Sequence, residues 1–133
     1  MLTFKKLNVN PKNRKTGDCS IRAVAYLLGI TWEEALTLLY KEALETKYDT
    51  ADRKNVESVI SKFGYVKMKQ PRMIDNLKYP LYKMDEVVSA AERHDKVLCN
   101  VANHYVVIED DYVVDSWNSS CKCCGNYYVK VRK

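Results

Sequence analysis

The sequence predicts a single α+β domain, with helices in the first half and strands in the second. Apolar residues recur at helical spacing between Cys19 and Phe63. From Val97 onward the spacing changes to short apolar runs and alternation, the signature of strands. Glycine (4) and proline (3) are too scarce to build a linker between the halves. Helices followed by strands point to segregated layers, not to the alternation of a doubly wound sheet. A chain of 133 residues buries one core, so the domain is taken as 1–133.

The elements follow in order. Cys19 to Leu28 is apolar at most positions and stops at Gly29, a residue suited to the left-handed end of a helix. Thr31-Trp32-Glu33-Glu34 is a capping box, in which hydroxyl and carboxylate satisfy each other's backbone N–H groups. The helix that it opens carries Ala35, Leu36, Leu38, Leu39 and Leu44 and ends near Thr46. A third helix over about 51–63 places Val56, Val59, Ile60 and Phe63 on one face before Gly64. Residues 65–69 alternate as a short strand, closed by Pro71, and residues 72–83 give no clear pattern. Asp85 to Arg93 reads as a short amphipathic helix. Segments 97–101, 105–108, 112–114 and 126–131 read as four strands of an antiparallel meander.

Composition excludes several classes. Hydrophobic residues make up 47% and charged residues 29%, which is globular and not disordered. No apolar run approaches a membrane span, and no apolar stretch follows Lys5-Lys6 as in a secretory signal. Five cysteines form no paired framework, so a reduced cytoplasmic setting is expected. The net charge of +5 sits at the two ends: Lys5, Lys6, Lys12, Arg14 and Lys15 at one, Lys130, Arg132 and Lys133 at the other. A nucleic-acid partner would favour a basic stripe on one face, so none is expected. Cys121, Cys123 and Cys124 are badly spaced for tetrahedral zinc, and no metal or cofactor is expected. Tyr105, Tyr112, Tyr127 and Tyr128 suit a half-buried sheet face. His94 lies at the end of a polar helix and reads as a partner of its dipole.

Three residues carry the chemistry. Cys19 opens the first helix, where the positive dipole end lowers a thiol below its free value of about 8.5. His104 begins one strand and Asp115 ends the next. If Asp110-Asp111 is a two-residue turn, Glu109 pairs with Tyr112 and Val106 with Asp115. His104 and Asp115 then share a face as diagonal neighbours. A thiol, a histidine and a carboxylate in this relation are the nucleophile, base and orienter of covalent catalysis. Trp117, beside them, would shield the pair from water.

Asn13-Arg14-Lys15-Thr16-Gly17-Asp18-Cys19, followed by Ala23, Tyr26 and Leu27-Leu28-Gly29, resembles the nucleophile motif of papain-like cysteine peptidases. Within that superfamily it is most similar to the bacteriocin-processing, double-glycine leader peptidases. Those carry a Gln, four residues, then Asp-Cys; here Asn13 stands in the Gln place. His104-Tyr105-Val106-Val107-Ile108 and Tyr112-Val113-Val114-Asp115 resemble the family's histidine strand and partner Asp, and Asp115-Ser116-Trp117 resembles the Asn-Ser-Trp of papain.

The resemblance implies a papain-like fold and a Cys19–His104–Asp115 triad that hydrolyses a peptide or isopeptide bond through a thioester. It also implies an oxyanion hole made by the Asn13 side chain and the Cys19 N–H. Asn13 is one methylene shorter than Gln, and Ser20 replaces the Gly that often follows the nucleophile. The partner expected is a protein or peptide substrate, in a stand-alone bacterial or phage member without the transporter's membrane and ATPase domains. Transamidation and glutamine deamidation use the same triad and stay open. So does a non-catalytic module that binds protein or nucleic acid through its basic ends.

Overall fold

The computed structural model describes residues 3–14, 16–68, 73–74, 77–78, 96–101, 104–116 and 124–131. In chain order the elements are β1 (Thr3–Lys6), α1 (Cys19–Leu28), α2 (Trp32–Thr46), α3 (Arg53–Ser61), β2 (Tyr65–Met68), β3 (Met73–Ile74), β4 (Leu77–Lys78), β5 (Lys96–Val101), β6 (His104–Glu109), β7 (Tyr112–Asp115) and β8 (Cys124–Lys130). The architecture is α+β: three helices and an open six-stranded mixed sheet among the described residues, with β3 and β4 a separate two-stranded pair. None of those helices is long and apolar enough to cross a membrane.

The helices end where their local chemistry says they should. Gly29 takes the left-handed conformation (φ 67°) and returns its N–H to the Ala25 carbonyl. Thr31 Oγ1 accepts from the Glu34 N–H at 3.0 Å, while Glu34 Oε1 accepts from the Thr31 N–H at 3.0 Å. Asp52 caps α3 by accepting from the Lys54 N–H at 2.8 Å. The third helix is two residues shorter at each end than the expected 51–63: Asp52 caps its start, and at its end Lys62 is the C-cap.

Helix α1 packs on β6, β5, α2 and α3. The core between helices and sheet holds Val24, Leu27, Leu39, Ile60, Leu98 and Tyr128, all nearly or wholly buried. A second cluster, with Val97, Val106, Ile108 and Val113, lies on the other face of the sheet. Strands β5 and β6 are therefore covered on both faces, which is why they read as continuous apolar runs. Tyr105 and Tyr128 are buried, so they form no exposed base-stacking platform.

The sheet order is β1-β7-β6-β5-β8-β2. This differs from the expected meander in two ways. First, β8 does not follow β7; it crosses to pair antiparallel with β5 and β2. Only β5-β6-β7 is a meander. Second, β1 pairs parallel with β7, Thr3 opposite Tyr112 and Lys6 opposite Asp115, and the sequence reading had no strand there. Its lysines hide the pattern, and lysines are what an edge strand carries to discourage further pairing. The expected helix over 85–93, with His94, lies outside the described residues, as do Trp117, Cys121 and Cys123.

Candidate active site

The β6–β7 hairpin turns at Asp110-Asp111, with Asp110 in the left-handed region (φ 53°) that aspartate tolerates. Glu109 pairs with Tyr112 and Val107 with Val114, the register expected of a two-residue connection. That register brings the start of β6 beside the end of β7. His104 Nε2 lies 2.6 Å from Asp115 Oδ2, and the two side chains are 14% and 3% exposed. With Nε2 held by the carboxylate, Nδ1 is the ring nitrogen left for the thiol.

Cys19 is the first residue of α1 and is half-buried. Its thiol is hydrogen-bonded to the His104 ring, and the Tyr105 backbone N–H also points at the sulfur. Burial, the largest single influence, pushes the thiol up. The His104 hydrogen bond, the Tyr105 N–H and the positive charges of His104 and Arg22 outweigh it, and the net shift is downward. His104 moves the other way. Burial pulls it down, but Asp115 and the Cys19 sulfur together raise it from 6.5 to about 9. The two shifts act in one sense: each favours the charged form, thiolate for Cys19 and imidazolium for His104.

Arg22, one helical turn beyond Cys19, organises what lies behind this pair. Its Nη1 donates to Asp115 Oδ1 at 3.1 Å and to Ser116 Oγ at 2.7 Å. Its Nε donates to Asp18 Oδ1 at 2.8 Å. Asp115 Oδ1 also accepts the Ser116 backbone N–H at 2.7 Å, so the carboxylate is fixed from three directions. Asp18 is buried at the N-terminus of α1, yet its side chain does not cap that helix. Instead Oδ2 accepts from Asn10 Nδ2 at 3.1 Å and from Trp32 Nε1 at 2.9 Å. Burial raises the Asp18 carboxyl, but these donors and Arg22 overcome it and hold it below its ordinary value. Asp18 thus ties the segment before α1, α1 itself and the start of α2 to one point.

Sequence reasoning missed Arg22, Asp18, Ser116, Trp32 and Asn10 as parts of this arrangement. One signal was available: Arg22 is a lone charge inside Ile21-Arg22-Ala23-Val24-Ala25, and Asp18 precedes it by one turn. An arginine on an apolar, core-facing helix needs a buried partner.

Asn13 is not joined to this group. It is exposed, adopts φ 51°, and donates its backbone N–H to the Asn10 carbonyl at 2.9 Å. It lines an open cleft whose wall includes Arg22 but not Cys19. A separate cavity beside Cys19, bounded by Arg22, Tyr105 and Asp115, measures about 20 Å³, room for about one water and no substrate. No group of metal-ligating side chains occurs among the described residues.

Chemically, the arrangement places a thiol whose shift favours ionisation beside a histidine, and a buried carboxylate against that histidine's ring. Comparison with family models, with curated proteins and with solved structures gives no match.

Proposed function

We propose that the protein is a cysteine-dependent hydrolase of amide bonds, peptide or isopeptide, on a papain-like domain. The observation that supports this most directly is the placement of the Cys19 thiol, the His104 ring and the Asp115 carboxylate together, with shifts that favour a thiolate and an imidazolium. The Cys19 sulfur attacks the substrate carbonyl carbon and forms a C–S bond, pushing the carbonyl electrons onto oxygen. As the tetrahedral adduct collapses, the C–N bond breaks and His104 gives its proton to the leaving amine. His104, now neutral, takes a proton from water, and the hydroxide displaces the thiolate from the thioester. Asp115 holds the ring and stabilises its charged form throughout.

The oxyanion needs donors in place before reaction. The Cys19 N–H, the first amide of α1, has no intrahelical partner and is one. Asn13 enters as the second through its resemblance to the family's Gln. Asn13→Ala is expected to lower kcat by about 10²–10³ in that role. A loss below tenfold removes it from the oxyanion hole and leaves it as part of the cleft wall.

The decisive experiment is iodoacetamide labelling of Cys19 against pH, read by mass spectrometry, with Cys99 and Cys121 as internal controls. Fast labelling of Cys19 alone near pH 6, abolished in His104→Ala, is expected. Labelling no faster than the controls would overturn the reading. Product analysis with water or an added amine as acceptor then separates hydrolysis from transamidation.

A further inference from the structure

The positive charge near the start of the sequence is absorbed by neither the fold nor the triad. Part of it lines the open cleft of about 560 Å³ that borders the candidate site. Lys6, Arg14 and Arg22 stand in its wall with Asn8, Asn13 and Ser116, and no acid is among the described lining residues. Lys6 and Arg14 are exposed and form no ion pair among the described residues. Arg22 spends Nε and Nη1 on Asp18, Asp115 and Ser116, and its Nη2 carries no hydrogen bond among the described residues. Asp18 and Asp115, the carboxylates that pair with Arg22, are thereby already engaged. A cleft of one sign concentrates ions of the other and strengthens their binding.

The cleft is also close to the reacting sulfur. Gly17 lines it and lies two residues before Cys19. Two backbone steps span at most about 8 Å. A polypeptide whose carbonyl sits at Cys19 therefore places a residue one or two positions away within reach of the cleft.

We infer that the Lys6–Arg14–Arg22 cleft receives an acidic stretch of the substrate polypeptide, next to the bond attacked by Cys19. The inference deepens the proposed function by giving its substrate a class: a protein with Asp or Glu close to the scissile amide. Asn8, Asn13 and Ser116 supply polar atoms around the cations, suited to a carboxylate that keeps some of its water.

The test separates binding from chemistry. Cys19→Ala protein is titrated into two fluorescein-labelled peptides, Gly-Gly-Glu-Glu-Glu-Gly-Gly and its Gln counterpart, with anisotropy as readout at ~0.1 M salt. The acidic peptide is expected to bind at least tenfold tighter, and Lys6→Glu with Arg14→Glu to erase the difference. Both positions are exposed, and far-UV circular dichroism checks the fold; Arg14→Gln alone serves if the double variant fails to fold. Equal or undetectable binding of the two peptides overturns the inference. So does tighter binding of an oligothymidylate that displaces the acidic peptide, which would assign the cleft to nucleic acid. On active protein, vinyl sulfone tripeptides carrying Glu, Gln or Lys should label Cys19 fastest with Glu. If the peptide titration succeeds while Cys19 proves unreactive, the acidic-peptide cleft stands and the hydrolase reading falls.

Discussion

At the scale of single residues, Arg22 ties the site's electrostatics to the core. Its guanidinium lies behind Asp115 and contributes positive charge that favours the Cys19 thiolate. Arg22→Met is expected to raise the midpoint of Cys19 labelling by about one pH unit, a tenfold slower reaction near pH 6. Arg22→Lys keeps the charge but loses the fork that reaches Asp18 and Asp115 together, so its midpoint should fall between the two. A purely structural arginine would change stability without moving the midpoint. Asp18 makes the complementary case. Asp18→Ala leaves donors on Asn10, Trp32 and Arg22 without their acceptor, at a cost on the order of 3 kcal/mol in urea unfolding. That Cys19, His104 and Asp115 come together was legible in the sequence, because their types stand out and the hairpin's parity can be counted. Arg22 was legible only in part: its lone charge and Asp18 are local signals, but its partner Asp115 lies 93 positions away.

At the scale of elements, legibility follows how local the cause is. Helix α2 was readable to the residue, since its start is a capping box and its apolar stripe has one period. Thr31→Ala should cost about 1 kcal/mol. Leu39, wholly buried between helices and sheet, should cost about 2–5 kcal/mol as Leu39→Ala. Neither change should move the labelling midpoint of Cys19, which separates their effect from that of Arg22→Met. Strand β1 was unreadable for the opposite reason: its only reason to be a strand is β7, and its own residues are mostly charged or polar. The place of β8 beside β5 was hidden likewise, because alternation shows that a segment is a strand and says nothing about its neighbour.

At the scale of the whole molecule, the site shapes how stability depends on pH. His104 is raised from 6.5 to about 9 on folding, so its contribution is complete below 6.5 and is lost as pH rises through about 9. Cys19 is lowered from 9.0, so its contribution is complete above 9.0 and is lost as pH falls through its depressed value. Between about 6.5 and 9 the two oppose each other, the raised imidazole favouring the folded state with its proton on and the lowered thiol favouring it with its proton off. Urea-unfolding free energy is therefore expected to be flat from pH 7 to 8.5. A steep slope there would mean that the two shifts do not offset each other. On the acid side, Asp18 is lowered from 3.8, so its contribution is lost as pH falls through that depressed value.

The parallel pairing of β1 with β7 has a consequence in time. Residues 3–6 and 112–115 are neighbours, and the Leu7 N–H donates to the Asp115 carbonyl at 2.8 Å, across more than a hundred residues of chain. Cys19 leaves a ribosome well before His104 and Asp115, by roughly 5–20 s at ordinary elongation rates. Throughout that interval the sulfur lacks the imidazole that lowers it, and the strand that frames Asp115 has no partner. The grouping of Cys19, His104 and Asp115 thus completes last, with the longest-range strand pairing among the described residues, and under the proposed function a nascent chain carries a thiol that has not yet met its base.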